Sequence, residues 1–371
     1  MTEQHLHIIS FDIPYPPNYG GVVDVFFKLR ALSSLGVKIH LHCFQYGRLV
    51  SAELDKLCFS VNYYQRKTTK LKLFAKLPYI VSSRQSEELM TNLLKDDFPI
   101  LMEGLHTTIY INDKRLSGRK IIVRSHNIEH QYYLQLAAIE KNPFRKWYFK
   151  SEAKKLEVYE PVLKNAASIA AISPAENNYL NNKYGNSFYL PAFHSNNKVN
   201  SLAGKGNYAL YHGNLSVGEN NKAALFLVKE VFNQFDYTLI IAGNNPSSEL
   251  EKALKNNPAI ELKSDLSVEV MHDLIKNAHI NILPTFQSTG IKLKLINALF
   301  NGRFCLVNSL MVEATGLEEL CTVADSPSAM KKAILELKDK VFSSVMIAQR
   351  DKILQRQFNN AVNAKMLLDK I

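Results

Sequence analysis

Short apolar runs, each about four to eight residues long, alternate with helix-period segments along almost the whole chain. No other feature restricts the fold as much. His5–Phe11 is apolar and β-branched, and Asp12–Gly21 holds three prolines and two adjacent glycines. Val22, Val25, Phe26, Leu29 and Leu32 then recur at helical spacing, Gly36 stops the helix, and Val37–Phe44 is strand-like again. Strand, helix and strand of these lengths make a right-handed βαβ unit with parallel strands. Pro99–Met102, Lys120–Val123 and Ala167–Ile172 are predicted as further buried strands. The last runs into Ser173-Pro174-Ala175-Glu176, which has the form of a capping box with proline at the first helical position. That helix ends near Tyr184-Gly185.

Leu190–Gly206, with Pro191 and several asparagines, serines and glycines, breaks the rhythm and is predicted as a linker. The alternation then restarts. Strands are predicted at Tyr208–Tyr211, Thr238–Ala242, Ile260–Leu262, Ile280–Leu283 and Phe304–Asn308. Helices are predicted at Lys222–Phe232, Ser248–Asn256, Ile291–Phe300 and Ser328–Leu337. Val341–Ile371 is predicted as one long helical segment with no strand after it. The expectation is two α/β halves joined by one linker, with ligands bound beyond the carboxyl ends of the strands, in a cleft between the halves.

A length of 371 residues fits two domains at roughly 150 residues each, and 46% apolar with 21% charged residues is a globular composition. The formal charge of +11 favours polyanionic partners: nucleic acid, phosphorylated small molecules or an anionic membrane surface. The four cysteines, Cys43, Cys58, Cys305 and Cys321, are too scattered for a disulfide framework or a zinc site, and are expected as reduced thiols of a cytosolic protein. No apolar run reaches about 18 residues, and the first five residues lack the basic flank of a signal peptide.

Four clusters could carry chemistry. Asn18-Tyr19-Gly20-Gly21 lies between the first strand and the first helix, where amides carry partial positive charge. It reads as a phosphate or sugar contact or as an ordinary turn, and it is not the G-x-G-x-x-G of a nicotinamide site. Arg124-Ser125-His126-Asn127-Ile128-Glu129-His130 follows a strand; His126 could accept or orient a proton, and a surface loop with a capping serine is the alternative. Glu103, ending the strand before it, could bind hydroxyls or cap the next helix. His212-Gly213-Asn214 and Glu219-Asn220-Asn221-Lys222 open the second half, as a ligand-facing helix start or as asparagine capping alone. Pro284–Gly290 is followed by Ile291-Lys292-Leu293-Lys294 at a helix start. Cations there oppose the helix dipole at a cost of roughly 0.3–1 kcal/mol each, which makes sense if an anion such as a diphosphate compensates; a solvated pair is the alternative. No D-x-D metal-chelating motif occurs, so lysines and helix dipoles would have to replace a metal.

With these clusters in view, the chain resembles the GT-B-fold glycosyltransferases, most like the retaining family 4. The resemblance rests on Gly20-Gly21, His126-Asn127, Ala171-Ile172-Ser173, Gly213-Asn214 with Asn220, and above all Thr289 to Ala298 followed by Gly302-Arg303 and Thr315-Gly316-Leu317. It implies an α/β fold of two Rossmann-like domains facing a cleft. Residues 1–190 would bind the acceptor, completed by a C-terminal helix (about 352–371) that crosses back, and residues 207–351 would bind a nucleotide-sugar. It implies His126 and Glu103 as catalytic candidates. Gly21, Gly213, Asn214, Asn220, Thr289, Gly290, Ile291, Lys292, Lys294 and Asn297 would contact the donor, and Tyr19 and Asn127 the acceptor, with no metal and no cofactor. Many members carry a glutamate pair where this chain has Thr289 and Asn297, and arginine and lysine where it has Asn214 and Asn220.

The basic excess is concentrated. Between Asp55 and Glu87 stand Lys56, Arg66, Lys67, Lys70, Lys72, Lys76 and Arg84 without an acid, interleaved with Leu71, Leu73, Phe74 and Leu77. Phe144-Arg145-Lys146-Trp147-Tyr148-Phe149-Lys150 has the same mixture. Both read as docking to an anionic membrane surface or as solvated helix faces. The expected partners are a nucleotide-sugar, a glycan or lipid-linked acceptor and such a surface, and no nucleic acid, since no nucleic-acid module is recognisable. The expected location is cytoplasmic, peripheral at the inner face of the membrane. A catalytically weakened, membrane-associated partner in a glycan-assembly complex is the second reading, a nucleic-acid-binding protein, resting on charge alone, the third, and a nucleotide-sugar epimerase of the same fold a further one.

Overall fold

The computed structural model describes residues 3–69, 75–255, 257–287, 292–313 and 315–371. These divide into two compact units. The first takes 3–195 and Phe358–Ile371, and the second takes Asn196 to Gln357.

In the first unit, β1 (His5–Ser10), α1 (Gly20–Ser34) and β2 (Lys38–Gln45) form the opening βαβ unit. β3 (Ser60–Gln65), β4 (Ile100–Glu103) and β5 (Ile121–Ser125) follow. A helical hairpin comes next, α2 (Glu129–Ile139) and α3 (Pro143–Tyr159). Then come β6 (Ser168–Ala171), α4 (Pro174–Tyr184) and β7 (Ser187–Tyr189). The seven strands are parallel, in the order β3-β2-β1-β4-β5-β6-β7. Neighbouring residues of one strand enter opposite cores: Ile100 and Met102 join one, Leu101 the other. A sheet buried on both faces explains why its central strands read as continuous apolar runs. Ser173 caps α4 by accepting from the Glu176 N–H, and Gly185 closes it at φ 76°, a left-handed conformation that suits glycine.

In the second unit, β8 (Ala209–His212), α5 (Gly218–Phe226), β9 (Leu239–Ala242), β10 (Ile260–Lys263), β11 (Ile280–Ile282), α6 (Leu293–Asn301), β12 (Phe304–Val307) and β13 (Thr322–Val323) alternate. Six parallel strands run in the order β10-β9-β8-β11-β12-β13. The helix α5 continues as a π turn over Leu227–Val231.

Two expectations need correction. The C-terminal segment is not one helix but two, α7 (Ser344–Phe358) and α8 (Asn360–Leu368). Asn359 breaks it, because its side chain accepts from the Ala361 and Val362 amides and so starts a new helix. α8 packs in the first unit, burying Ala364 and Leu367 against the α1 core. The boundary between the two units, Ser195 to Asn196, falls within the segment predicted as a linker; its first residues are packed, with Leu190 and Phe193 fully buried and Asn360 exchanging two hydrogen bonds with the backbone of His194. Finally, the basic stretch from Asp55 to Glu87 is not a single amphipathic segment. It contains the edge strand β3, and Arg84 is buried, donating to the Phe11 and Ile80 carbonyls. Residues 70–74, with Lys70, Leu71, Lys72, Leu73 and Phe74, lie outside the described residues.

Candidate functional site

Each sheet has one point where strand order reverses, and loops on either side of it leave a crevice at the carboxyl ends. In the first unit that point lies between β1 and β4; in the second it lies between β8 and β11. Several of the candidate residues stand at these two places.

In the first unit, Asp12 follows β1. Its carboxylate accepts from the Ile13 amide at 2.9 Å and from the Tyr19 hydroxyl at 3.0 Å. Burial raises the Asp12 carboxyl above its ordinary range in spite of those bonds, and burial, followed by the Asp12 charge, raises the Tyr19 phenol. Tyr19 thus commits its hydroxyl to the loop and leaves its ring 45% exposed. Gly21 has a packing reason: a Cβ there would stand 2.7 Å from the Phe11 ring, whereas one at Gly20 would meet nothing within 4 Å.

Glu103 and His126 end neighbouring strands and meet, His126 Nε2 donating to Glu103 Oε2 at 2.8 Å. They belong to a larger cluster. Asp24 and Lys28, one turn apart on α1, point into the sheet, and Lys28 Nζ donates to Asp24 at 3.0 Å and to Glu103 at 2.6 Å. Arg124 grips Asp24 through two bonds of 3.1 and 2.9 Å. All four charged groups are fully buried. Burial alone would raise the Glu103 carboxyl, but the Lys28 ammonium and the His126 hydrogen bond outweigh it and hold it below its ordinary range. Arg124 and Lys28 do the same for Asp24. Ligand atoms of Asp24, Glu103 and His126 lie within 4.8 Å of one another, a spacing compatible with a metal. The Lys28 ammonium already bridges the two carboxylates, however, so the cluster is charge-balanced by side chains. Glu103 therefore orients His126. The other ring nitrogen, Nδ1, is buried without a hydrogen bond, 3.9 Å from Asp24.

Asn127 is half-buried, and its side chain bonds Glu129. Burial lifts the Glu129 carboxyl to about 7, against that hydrogen bond and the Arg84 charge. One of its oxygens stands 3.8 Å from His106 Nδ1, and neither atom has a hydrogen bond.

In the second unit, Gly243 at the end of β9 lets two loops touch: a Cβ there would fall 1.8 Å from the Gly213 carbonyl oxygen. Gly213 in turn lies under the Asn220 amide, 3.1 Å from where its own Cβ would be. Asn220 donates to the Asn214 carbonyl at 3.0 Å and accepts from Lys294 Nζ at 2.6 Å. Asn214 itself is exposed and folds the loop by accepting from the Ser216 amide and hydroxyl. Thr285, after β11, donates its hydroxyl to Glu219 on α5. Lys294 lies in the first turn of α6, 5.5 Å above the Tyr211 ring. Burial lowers its ammonium from the ordinary value, with Glu219 acting against the shift. No ion pair to Lys294 forms among the described residues.

Gly213, Asn214, Asn220 and Lys294 thus converge. Lys292 is the residue before α6, not part of its first turn, and its Nζ donates to the Gln287 carbonyl at 2.7 Å. Asn297 accepts from Asn301 at 2.8 Å, within an asparagine group that includes Asn196. Thr289, Gly290 and Ile291 lie outside the described residues. Sequence reasoning missed Asp24 and Lys28, and it placed Glu219 at a candidate helix start without giving it a role of its own. The signal for the first two is an acid and a base four residues apart inside an apolar helix stripe.

No model of a known protein family matches the chain. A protein of Klebsiella pneumoniae described as an "Uncharacterized 44.6 kDa protein in cps region" is 26% identical over 361 residues, covering 92% of each chain. Among solved structures, sucrose-phosphate synthase from Thermosynechococcus elongatus superposes with a TM-score of 0.70 at 15% identity, covering 99% of this chain and 98% of that one. The lipopolysaccharide outer core galactosyltransferase WaaB does so with a TM-score of 0.64 at 15% identity, covering 99% of this chain and all of the other. With two parallel α/β units of seven and six strands and full-length superposition on these proteins, the chain has the GT-B fold of the glycosyltransferases.

Proposed function

We propose that this protein is a glycosyltransferase that moves a sugar from a nucleotide-sugar donor to a glycan or lipid-linked acceptor, with retention and without a metal ion. The second unit takes the donor and the first unit the acceptor. One observation carries the reading: the Lys294 ammonium is half-buried at the strand-order reversal, held by the neutral Asn220 amide and joined by no ion pair among the described residues. The first turn of α6 has no acidic residue and no side-chain cap, so its amides add to the same positive field. A diphosphate answers both. As the bond from sugar to phosphate breaks, negative charge grows on the leaving oxygen, and donors already aimed at it stabilise that charge. The departing phosphate oxygen takes the proton of the incoming hydroxyl on the same face, which preserves the anomeric configuration. The GT-B relatives include a galactosyltransferase, which supports the sugar-transfer class. The cytoplasmic side, where nucleotide-sugars are made, is the location this reading requires.

The test is a thermal-shift screen of UDP-, GDP- and other activated sugars, followed by a hydrolysis or transfer assay. One donor should raise the melting temperature, and Lys294→Ala should abolish the shift and lower turnover at least a hundredfold, about 2.7 kcal/mol, without lowering the melting temperature of the free protein. If no nucleotide-sugar stabilises the protein, the reading fails. Donor binding without any transfer or hydrolysis favours the weakened-partner reading, which the burial of both Glu103 and His126 in an ion cluster supports.

A further inference from the structure

The α2–α3 hairpin leaves the carboxyl end of β5 and ends in a tip where Lys141, Asn142, Pro143 and Phe144 are all exposed. Its inner face is anchored by buried Ala137, Ala153 and Leu156. Its outer face is apolar where water should be: Leu134 and Ile139 are exposed on α2, and Phe144 and Trp147 are 82% and 63% exposed on α3. Phe144 and Trp147 are three residues apart, so they share one helix face. Lys141, Arg145, Lys146 and Lys150 surround them, and none of these four cations is buried. Glu140, the lone acid at the tip, is occupied by the Asn142 amide and by Arg145. Asn142 caps α3 through the Phe144 and Arg145 amides, and Pro143 occupies the first helical position, so the helix that carries Phe144 and Trp147 starts at a defined place.

A solvated helix face does not account for two large aromatics standing in water together. Cations around aromatics at a projecting tip match a negatively charged bilayer: tryptophan favours the headgroup layer, and lysine and arginine the lipid phosphates. We propose that the tip of the α2–α3 hairpin docks on an anionic lipid surface, with Phe144 and Trp147 entering the headgroup layer and Lys141, Arg145, Lys146 and Lys150 against the phosphates. This deepens the proposed function, on which it rests for its biological sense, by assigning the surface at which a lipid-linked acceptor is met. Over the 11 residues of α2, at ~1.5 Å each, the tip stands about 16 Å from the crevice that holds His126.

Trp147 is the only tryptophan in the chain, so the intact protein reports its own docking. Its emission should shift to the blue, and its quenching by iodide should fall, on adding vesicles of phosphatidylglycerol mixed with phosphatidylcholine. Pure phosphatidylcholine vesicles and soluble heparin should cause neither change. Phe144→Ser should weaken co-sedimentation with the anionic vesicles at least tenfold, and R145E/K146E should abolish it, with melting temperature and nucleotide-sugar stabilisation unchanged. An unshifted spectrum with anionic vesicles overturns the proposal. So does an equal shift with neutral vesicles or heparin, or co-sedimentation that leaves Trp147 unmoved. Donor stabilisation is read separately, so it can stand or fall independently of docking.

Discussion

At the scale of single residues, the most consequential side chains are those of the buried charge cluster. Lys28 compensates two buried carboxylates at once, and Arg124 also bonds the Leu190 carbonyl while Asp24 accepts from the Phe193 amide. One charge cluster therefore holds α1, the ends of β4 and β5, and the segment after β7. Removing one partner of a buried pair leaves an uncompensated charge, which costs about 3–5 kcal/mol. Lys28→Met should lower unfolding free energy by about that amount in a denaturant titration. A loss below about 1 kcal/mol would mean that water, not Lys28, compensates the carboxylates.

At the scale of elements, the two glycine-dependent loops behave differently. Gly243→Ala would drive a methyl group into the Gly213 carbonyl, a backbone group that cannot swing aside, and against the Leu215 side chain. Overpacking of this kind costs about 1–3 kcal/mol, and here it should also displace the Asn220–Lys294 contact and weaken donor stabilisation. Gly20→Ala, with open space at its Cβ position and a helical conformation, should leave stability within about 0.5 kcal/mol of the parent. Thermal melts of both variants check the contrast. The elements differed in legibility for a physical reason. Central strands such as β4 and β5 are buried on both faces and spell ILME and IIVRS. The edge strands β3, β7 and β13 are half-exposed or short, so SVNYYQ, SFY and TV carry no comparable signal. The helices α2 and α3 escaped because their outward aromatics blur the apolar period.

At the scale of the whole molecule, the histidines set the response to acid. On β1 and β2 they form a ladder with a defined direction. His7 Nε2 donates to Asp96 at 2.8 Å, His42 Nε2 donates to His7 Nδ1 at 2.8 Å, and the Tyr64 hydroxyl donates to His42 Nδ1 at 2.8 Å. Each bond holds one proton, so protonating either ring removes an acceptor. Burial holds His7 down to about 4 and His42 well below its ordinary 6.5. Burial also lowers His40, His106 and His279, brings His194 to about 4 and His212 to about 3. Below pH 6.5 the unfolded chain binds these protons and the folded one does not, so stability present near pH 7 declines as pH falls through 6.5 toward 4. Glu129, raised to about 7, and Asp12, raised above its ordinary range, act in the opposite direction over part of that window, but they are two groups against seven. Calorimetry should show a melting temperature that falls steadily from pH 7 to pH 4. A flat profile would mean that the rings are not held neutral.

The periodicity of apolar residues by itself determined two α/β units, parallel sheets and the strand ends at which Glu103, His126 and Gly213 stand. It did so because hydrophobic period is local and each buried strand carries it in a few consecutive residues. Only the tertiary structure decided which groups meet there. Lys28 and Glu103 are 75 positions apart, and Asp24 and Arg124 are 100. Their pairing follows from strand order, with β1 between β2 and β4, and no local pattern encodes that order. Charge, unlike hydrophobic period, acquires meaning only from the partner that burial brings within reach.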